Sequence, residues 1–157
     1  MNIDRVRKQL EIDEGVVYEI YNDHLGYPTF GIGHLVRKTD PEYGFAVGHS
    51  VDPERVQEAF EADLSVACNE CSILYYDWHK FPDEVQEILV NMMFNLGRPR
   101  LSKFRNMKKA LDKRDWKLAA VEGRDSLWYR QVSNRAERLM TRTVSYTHLT
   151  LPTSDLV

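Results

Sequence analysis

Cysteine is scarce in this chain: Cys68 and Cys71 are the only two among 157 residues. Two are too few for a disulfide scaffold, so the core must hold without staples, and a reducing compartment is the expectation. Their Cys-x-x-Cys spacing invites a zinc or redox reading, but a structural zinc site needs four ligands and no second Cys/His pair stands at a suitable distance. The pair is read as small apolar residues in a helix, and no metal is expected. Long apolar runs are absent as well. Met1 to Glu14 is broken by Asp4, Arg5, Arg7, Lys8 and Glu11, so neither a signal-peptide core nor stable membrane insertion is expected, and the protein should stay in the cytoplasm where it is made. Glycine and proline number eight and six, which excludes a fibrous or low-complexity chain.

What is present fits an ordinary globular protein, with 43% hydrophobic and 29% charged residues. The length suits one domain, or one domain divided into two lobes. The net charge of −3 hides an asymmetry: residues 1–97 carry 7 Lys/Arg against 18 Asp/Glu (net −11), and residues 98–142 carry 14 against 5 (net +9). A basic lobe attracts a polyanion, for which nucleic acid and the acidic bacterial wall both qualify; the bland reading is that the two halves complement each other.

Ile3, Val6 and Leu10 share one stripe behind Asn2, a candidate cap, and predict a short helix over 3–13. Val16 to Tyr21 and Tyr27 to Val36, on either side of the turn-like Asn22-Asp23-His24-Leu25-Gly26, predict a small antiparallel sheet. Residues 37–51 read as loop. Asp52-Pro53 marks a helix start, and the apolar face Val56, Phe60, Leu64, Ala67, Cys71 carries that helix to about Tyr76. Pro82 opens a buried helix with Val85, Ile88, Leu89, Met92 and Leu96 inside and Gly97 as its stop. Shorter helices are predicted near 102–112, 115–123 and 133–142, led by Ser102, Asp115 and Ser133. The fold class is α+β: a small N-terminal antiparallel β lobe (14–51), a connecting helix (52–77) and a helical lobe built from 1–13 and 78–143.

A carboxylic acid that donates a proton near neutral pH usually works beside a second, ionised carboxylate with another role. Glu14 stands where the first helix gives way to the strand, and Gly15 leaves it unobstructed. Asp23 follows on the hairpin turn and Thr29 on the returning strand, so all three can face one cleft. From spacing alone, a Glu at a helix end and an Asp in a turn are better explained by solubility and turn geometry.

The run Ile12-Asp13-Glu14-Gly15, then Tyr21-Asn22-Asp23, then Gly26-Tyr27-Pro28-Thr29-Phe30-Gly31-Ile32-Gly33-His34, resembles the lysozymes of the T-even phages and related endolysins. The resemblance continues at Asn91-Met92-Met93-Phe94-Asn95-Leu96-Gly97, at Trp128-Tyr129 and at Ser133-Asn134-Arg135-Ala136-Glu137-Arg138, and so covers residues 1 to about 143. It implies a lysozyme-like fold and an endolysin, a glycoside hydrolase that cuts the β-1,4 bond between N-acetylmuramic acid and N-acetylglucosamine in peptidoglycan. Glu14 would be the general acid, Asp23 would activate or orient the attacking water, and Thr29 would hold it, an inverting arrangement with the carboxyl groups roughly 6.5–9.5 Å apart. Arg135 would lie near Glu14 and orient its carboxyl group. Being cationic, it cannot be what keeps Glu14 protonated. Asn95 and Gly33 would bind or support the glycan, the asparagine standing where the best-known member has glutamine. His34 would form a structural salt bridge with Asp63. No cofactor is implied.

The expected partners are the peptidoglycan substrate and no nucleic acid. The protein would act as a monomer, held in the host cytoplasm until a holin opens the way to the wall. The rival readings are a catalytically inactive or truncated wall-binding homologue and a lytic transglycosylase, which releases an anhydro sugar. Residues 144–157 are expected to be non-native, because Val144-Ser145-Tyr146-Thr147-His148-Leu149-Thr150-Leu151-Pro152-Thr153 resembles the in-frame translation of a transposase sequencing adapter. A further native segment would then be lost and the tail poorly packed.

Overall fold

The first helix, α1 (Ile3–Glu14), buries Val6 and Leu10 four residues apart on one face. It ends because Gly15 turns left-handed at φ +73° while its N–H still reaches back to the Glu11 carbonyl, a conformation that favours glycine. Glu14 is thereby fixed as the last helical residue. The computed structural model describes the backbone of residues 1–150 and side chains to residue 145.

Three antiparallel strands follow in the order β1 (Val17–Asn22), β2 (Pro28–Gly31) and β3 (His34–Leu35). Tyr21 stands opposite Thr29 and Asn22 opposite Pro28, with a register irregularity between Val17 and Tyr21. The strand-forming stretch over 27–36 makes two strands: Gly31 and Gly33 take φ of +66° and +64° and turn the chain between β2 and β3. The expected loop over 37–51 is irregular, but its end runs beside the free edge of β1, where Ile20 N–H donates to the His49 carbonyl and Val51 N–H to that of Tyr18.

Helix α2 (Pro53–Leu74) begins at the expected proline. The chain divides into two compact units, residues 4–67 and residues 1–3 with 68–157. Residues 4–14 of α1 fall in the first of these units, with the sheet. The physical tie is a forked ion pair between Arg7 and Glu61 of α2, at 2.7 and 3.0 Å. The core of this unit gathers Val6, Leu10, Ile20, Phe30, Ile32, Val51, Val56, Phe60 and Leu64, each large side chain contributing roughly 1.5–3 kcal/mol by burial.

The second unit is helical. After a 3₁₀ turn at Trp78–Lys80 come α3 (Asp83–Leu96), α4 (Arg98–Leu101), α5 (Arg105–Asp112), α6 (Trp116–Arg124), α7 (Leu127–Gln131) and α8 (Ser133–Thr150). Helix α3 is buried nearly all round, as its apolar density predicts. Tyr75, Trp78, Phe81 and Trp116 form an aromatic cluster with ring centroids 5.9–6.4 Å apart. Asp115 caps α6, its carboxylate accepting from Leu118 N–H at 3.1 Å. Ser102 is a correction: it ends α4 instead of opening α5, and its hydroxyl donates to the Pro99 carbonyl. Ser133 does not cap either, since its hydroxyl donates to the Arg130 carbonyl. Helix α8 continues past the expected end at 142, with Thr143 buried and its hydroxyl given to the Leu139 carbonyl. Of the expected non-native tail, residues 151–157 lie outside the described residues. Among the described residues no helix is long and apolar enough to cross a membrane.

Candidate active site

Glu14, Asp23, Thr29 and Gly33 all belong to the sheet-bearing unit. Glu14 is half-buried at the end of α1. Its carboxyl group lies close over Gly33: a Cβ added there would sit 2.7 Å from Oε2 and 3.1 Å from Cδ. Because Gly33 is also left-handed, both space and backbone require glycine at this position.

Asp23 is built into the hairpin. Its Oδ1 accepts from Leu25 and Tyr27 N–H, both at 2.9 Å, and its own N–H donates to the Tyr27 carbonyl. The turn therefore consumes one carboxylate oxygen. Oδ2 takes no hydrogen bond among the described residues and remains available as an acceptor.

Thr29 is buried on β2, and its hydroxyl donates to the Tyr27 carbonyl at 2.9 Å. Its one proton is committed, so what it offers a ligand is its lone pairs. Tyr21, opposite Thr29, is half-buried, and its phenol is pushed above the ordinary range by that burial and then by the charges of Glu14 and Asp23. It thus senses both carboxylates.

His34 lies 2.7 Å through Nδ1 from Asp63 and 2.8 Å through Nε2 from Asp40. Asp63 was legible from the resemblance, whereas Asp40 was missed. Burial works against the charged ring, but the hydrogen bonds to both aspartates outweigh it and raise its pKa. Arg55 extends the network to Asp40, Glu42 and Glu58, and its guanidinium lies over the Phe30 ring at 5.6 Å.

Arg135 and Asn95 belong to the helical unit. Arg135 is buried at the start of α8, with Nε donating to Asn91 Oδ1 at 2.8 Å and a terminal nitrogen to the Asn91 carbonyl at 3.3 Å. Asn91, which sets this guanidinium in place from α3, was quoted in the sequence only as part of a motif. Asn95 accepts from the Trp128 indole N–H at 2.8 Å, so its amide oxygen is engaged within the protein and its NH₂ group is what remains for a ligand. Cys71 is fully buried, and burial pushes its thiol well above the ordinary range, which makes it inert. Among the described residues no group of three or more His, Cys, Asp or Glu is arranged to hold a metal ion.

A half-buried acid seated on Gly33, and on the same unit a carboxylate with one free oxygen and a hydroxyl with free lone pairs, are groups from which acid–base hydrolysis can be built. Sequence comparison agrees with that chemistry. Probable T4-type lysozyme 2 of Dictyostelium discoideum is 30% identical over 158 aligned residues, covering 88% of this chain and 93% of its own. The pre-baseplate central spike protein Gp5 of Enterobacteria phage T4 is 34% identical over 84% of this chain, which spans 26% of that longer protein. The peptidoglycan hydrolase gp36 of Pseudomonas phage phiKMV is 29% identical over 87% of this chain and 15% of its own length. The phage lysozyme family profile matches residues 11–145, from within α1 into α8; the chain belongs to the phage lysozyme family.

Proposed function

We propose that this protein is an endolysin that hydrolyses the β-1,4 bond between N-acetylmuramic acid and N-acetylglucosamine in bacterial peptidoglycan. The observation that carries the reading is the seating of the Glu14 carboxyl on Gly33, on the same unit as a hairpin that leaves Asp23 Oδ2 and the Thr29 lone pairs free.

Glu14 protonates the glycosidic oxygen as the bond breaks. A water on the opposite face of the sugar gives one proton to Asp23 Oδ2 and directs its other toward Thr29 Oγ1, leaving a lone pair aimed at the anomeric carbon. The product is inverted. The division of labour within Asp23 supports this assignment: Oδ1 is pinned by two backbone N–H groups, which fixes the direction in which Oδ2 points. Arg135, held in place by Asn91, has the orienting role that the family resemblance implies, and Asn95 offers its NH₂ group to the glycan. His34 and Asp63 act as structural support. The enzyme works as a monomer without metal or organic cofactor, and it reaches the wall through a holin-type lesion.

The test is clearing of outer-membrane-permeabilised Gram-negative cells by the protein and by Glu14→Gln. The variant should clear on the order of 10²–10⁴-fold more slowly; equal clearing would mean a wall-binding protein without the chemistry. Mass spectrometry of released muropeptides should find hydrated reducing ends, and anhydro ends would identify a transglycosylase. The likeness to Gp5 favours one second reading, that the same chemistry operates from a phage particle. Co-purification of the protein with virions separates that case from release at lysis.

A further inference from the structure

Tyr21 has no role assigned so far. Its position on β1 is set by the register, which places it directly across from Thr29. Facing residues of an antiparallel pair project to the same side of the sheet, with Cβ atoms about 4.5–5.5 Å apart, so Tyr21 and Thr29 share a face.

The phenol is half-buried, and its hydroxyl makes no hydrogen bond among the described residues. Tyr129 shows the contrasting case: its hydroxyl donates to Glu137 at 2.7 Å. The fields of Glu14 and Asp23 both reach the Tyr21 phenol, that of Glu14 more strongly, yet neither carboxylate takes its proton in a direct hydrogen bond. A protonated donor without a protein acceptor thus stands within range of the acid and of the base.

We propose that Tyr21 contacts the substrate, its hydroxyl donating a hydrogen bond to a sugar oxygen of the saccharide held between Glu14 and Asp23. The inference rests on the hydrolase reading above and adds a binding residue to it. A neutral donor suits this position better than a cation. A further cation at this position would favour the ionised Glu14 carboxylate and pull against its work as an acid. A phenol, protonated at neutral pH in any case and held further from ionising by burial and then by the two carboxylates, binds sugar without adding such a charge. Pyranose rings supply the acceptors it lacks, in hydroxyl, ring and acetamido oxygens. Once the sugar excludes water, an unmet hydroxyl becomes costly, so the complex is tightest with a saccharide that presents an oxygen there.

The experiment compares Tyr21→Phe with the unaltered protein on a soluble peptidoglycan fragment. Loss of one neutral hydrogen bond predicts a fall in kcat/KM of about 3–10-fold. In a Glu14→Gln background, affinity for the same fragment should weaken by a similar factor. The melting temperature should stay put, since no protein hydrogen bond is lost. In parallel, the ¹³C NMR titration of the Tyr21 phenol should move toward its ordinary range in Glu14→Gln and again in Asp23→Asn. Unchanged kcat/KM and affinity in Tyr21→Phe overturn the inference. So does a loss of activity that comes with a lowered melting temperature, because that is the mark of a structural residue. Should Glu14→Gln itself remain fully active, the hydrolase reading fails; an inactive Glu14→Gln beside a fully active Tyr21→Phe removes only the role given to Tyr21.

Discussion

Replacing Gly33 by alanine should harm the enzyme twice, and the two effects can be separated. The backbone at 33 sits at φ +64°, where an L residue costs roughly 1–2 kcal/mol. For a chain of this size that lowers the melting temperature by about 2–8 °C. The new methyl would stand 2.7 Å from Glu14 Oε2 and must open to ordinary contact near 3.4 Å, so the carboxyl is displaced by about 0.7 Å. A misplacement of about 1 Å in a reacting group can cost on the order of 10²-fold, and the clearing rate should fall by about 10–100-fold. Gly44→Ala is the control: Gly44 has φ +87° with nothing within 4 Å of an added Cβ, so it carries the backbone cost alone. Calorimetry should show similar melting losses for both variants, and turbidity clearing at 25 °C should collapse only for Gly33→Ala. Equal rates for the two variants would refute the claim that Gly33 seats the acid.

The His34 network gives a pH window. The folded pKa of His34 is raised above its ordinary 6.5, so its contribution is complete below pH 6.5 and is lost as pH rises through the folded value. Asp40 is lowered from its ordinary 3.8: burial opposes this, but the hydrogen bonds from Arg37 N–H and His34 and the charges of His34 and Arg55 prevail. Its contribution is present above pH 3.8 and is lost as pH falls through the folded value. Melting temperature should therefore decline on both sides of this window, and His34→Asn should flatten the alkaline limb; an unchanged alkaline limb in that variant would contradict the assignment. Asn91→Ala strips Arg135 Nε of its buried acceptor and should cost about 1–3 kcal/mol by urea denaturation, whereas a neutral result would mean that the guanidinium finds another partner. Asp115→Ala removes the α6 cap and should cost about 1 kcal/mol, with the clearing rate of the folded enzyme unchanged.

The elements legible in the sequence were those with strong local signals. Asp52-Pro53 opens α2 at Pro53, and the density of apolar residues after Pro82 marked α3 as buried. The short helices α4 and α7 were not legible, because four or five residues are too few to establish a helical period. Ser102 misled for a related reason: a serine before a helical pattern reads as a cap, and here the preceding turn was itself a helix. Glu14, Asp23 and Thr29 came from the resemblance, since their spacing alone did not separate catalysis from turn-making. The structure shows why that ambiguity was real, as Asp23 holds the turn with one oxygen and leaves the other free. Asp40 and Asn91 were missed because their contacts depend on long-range partners, Arg55 fifteen residues on and Arg135 forty-four residues on, and the pairing of Tyr21 with Thr29 follows a register irregularity in β1 that no local signal marks.

In the proposed mechanism Glu14 and Asp23 act on opposite faces of one sugar, with water between the base and the anomeric carbon. Proton NMR of the first product formed from a β-linked soluble fragment, read before mutarotation, tests it directly. The α-anomer is expected first at the new reducing end. The β-anomer appearing first would contradict it, and so would an anhydro sugar with no reducing end at all.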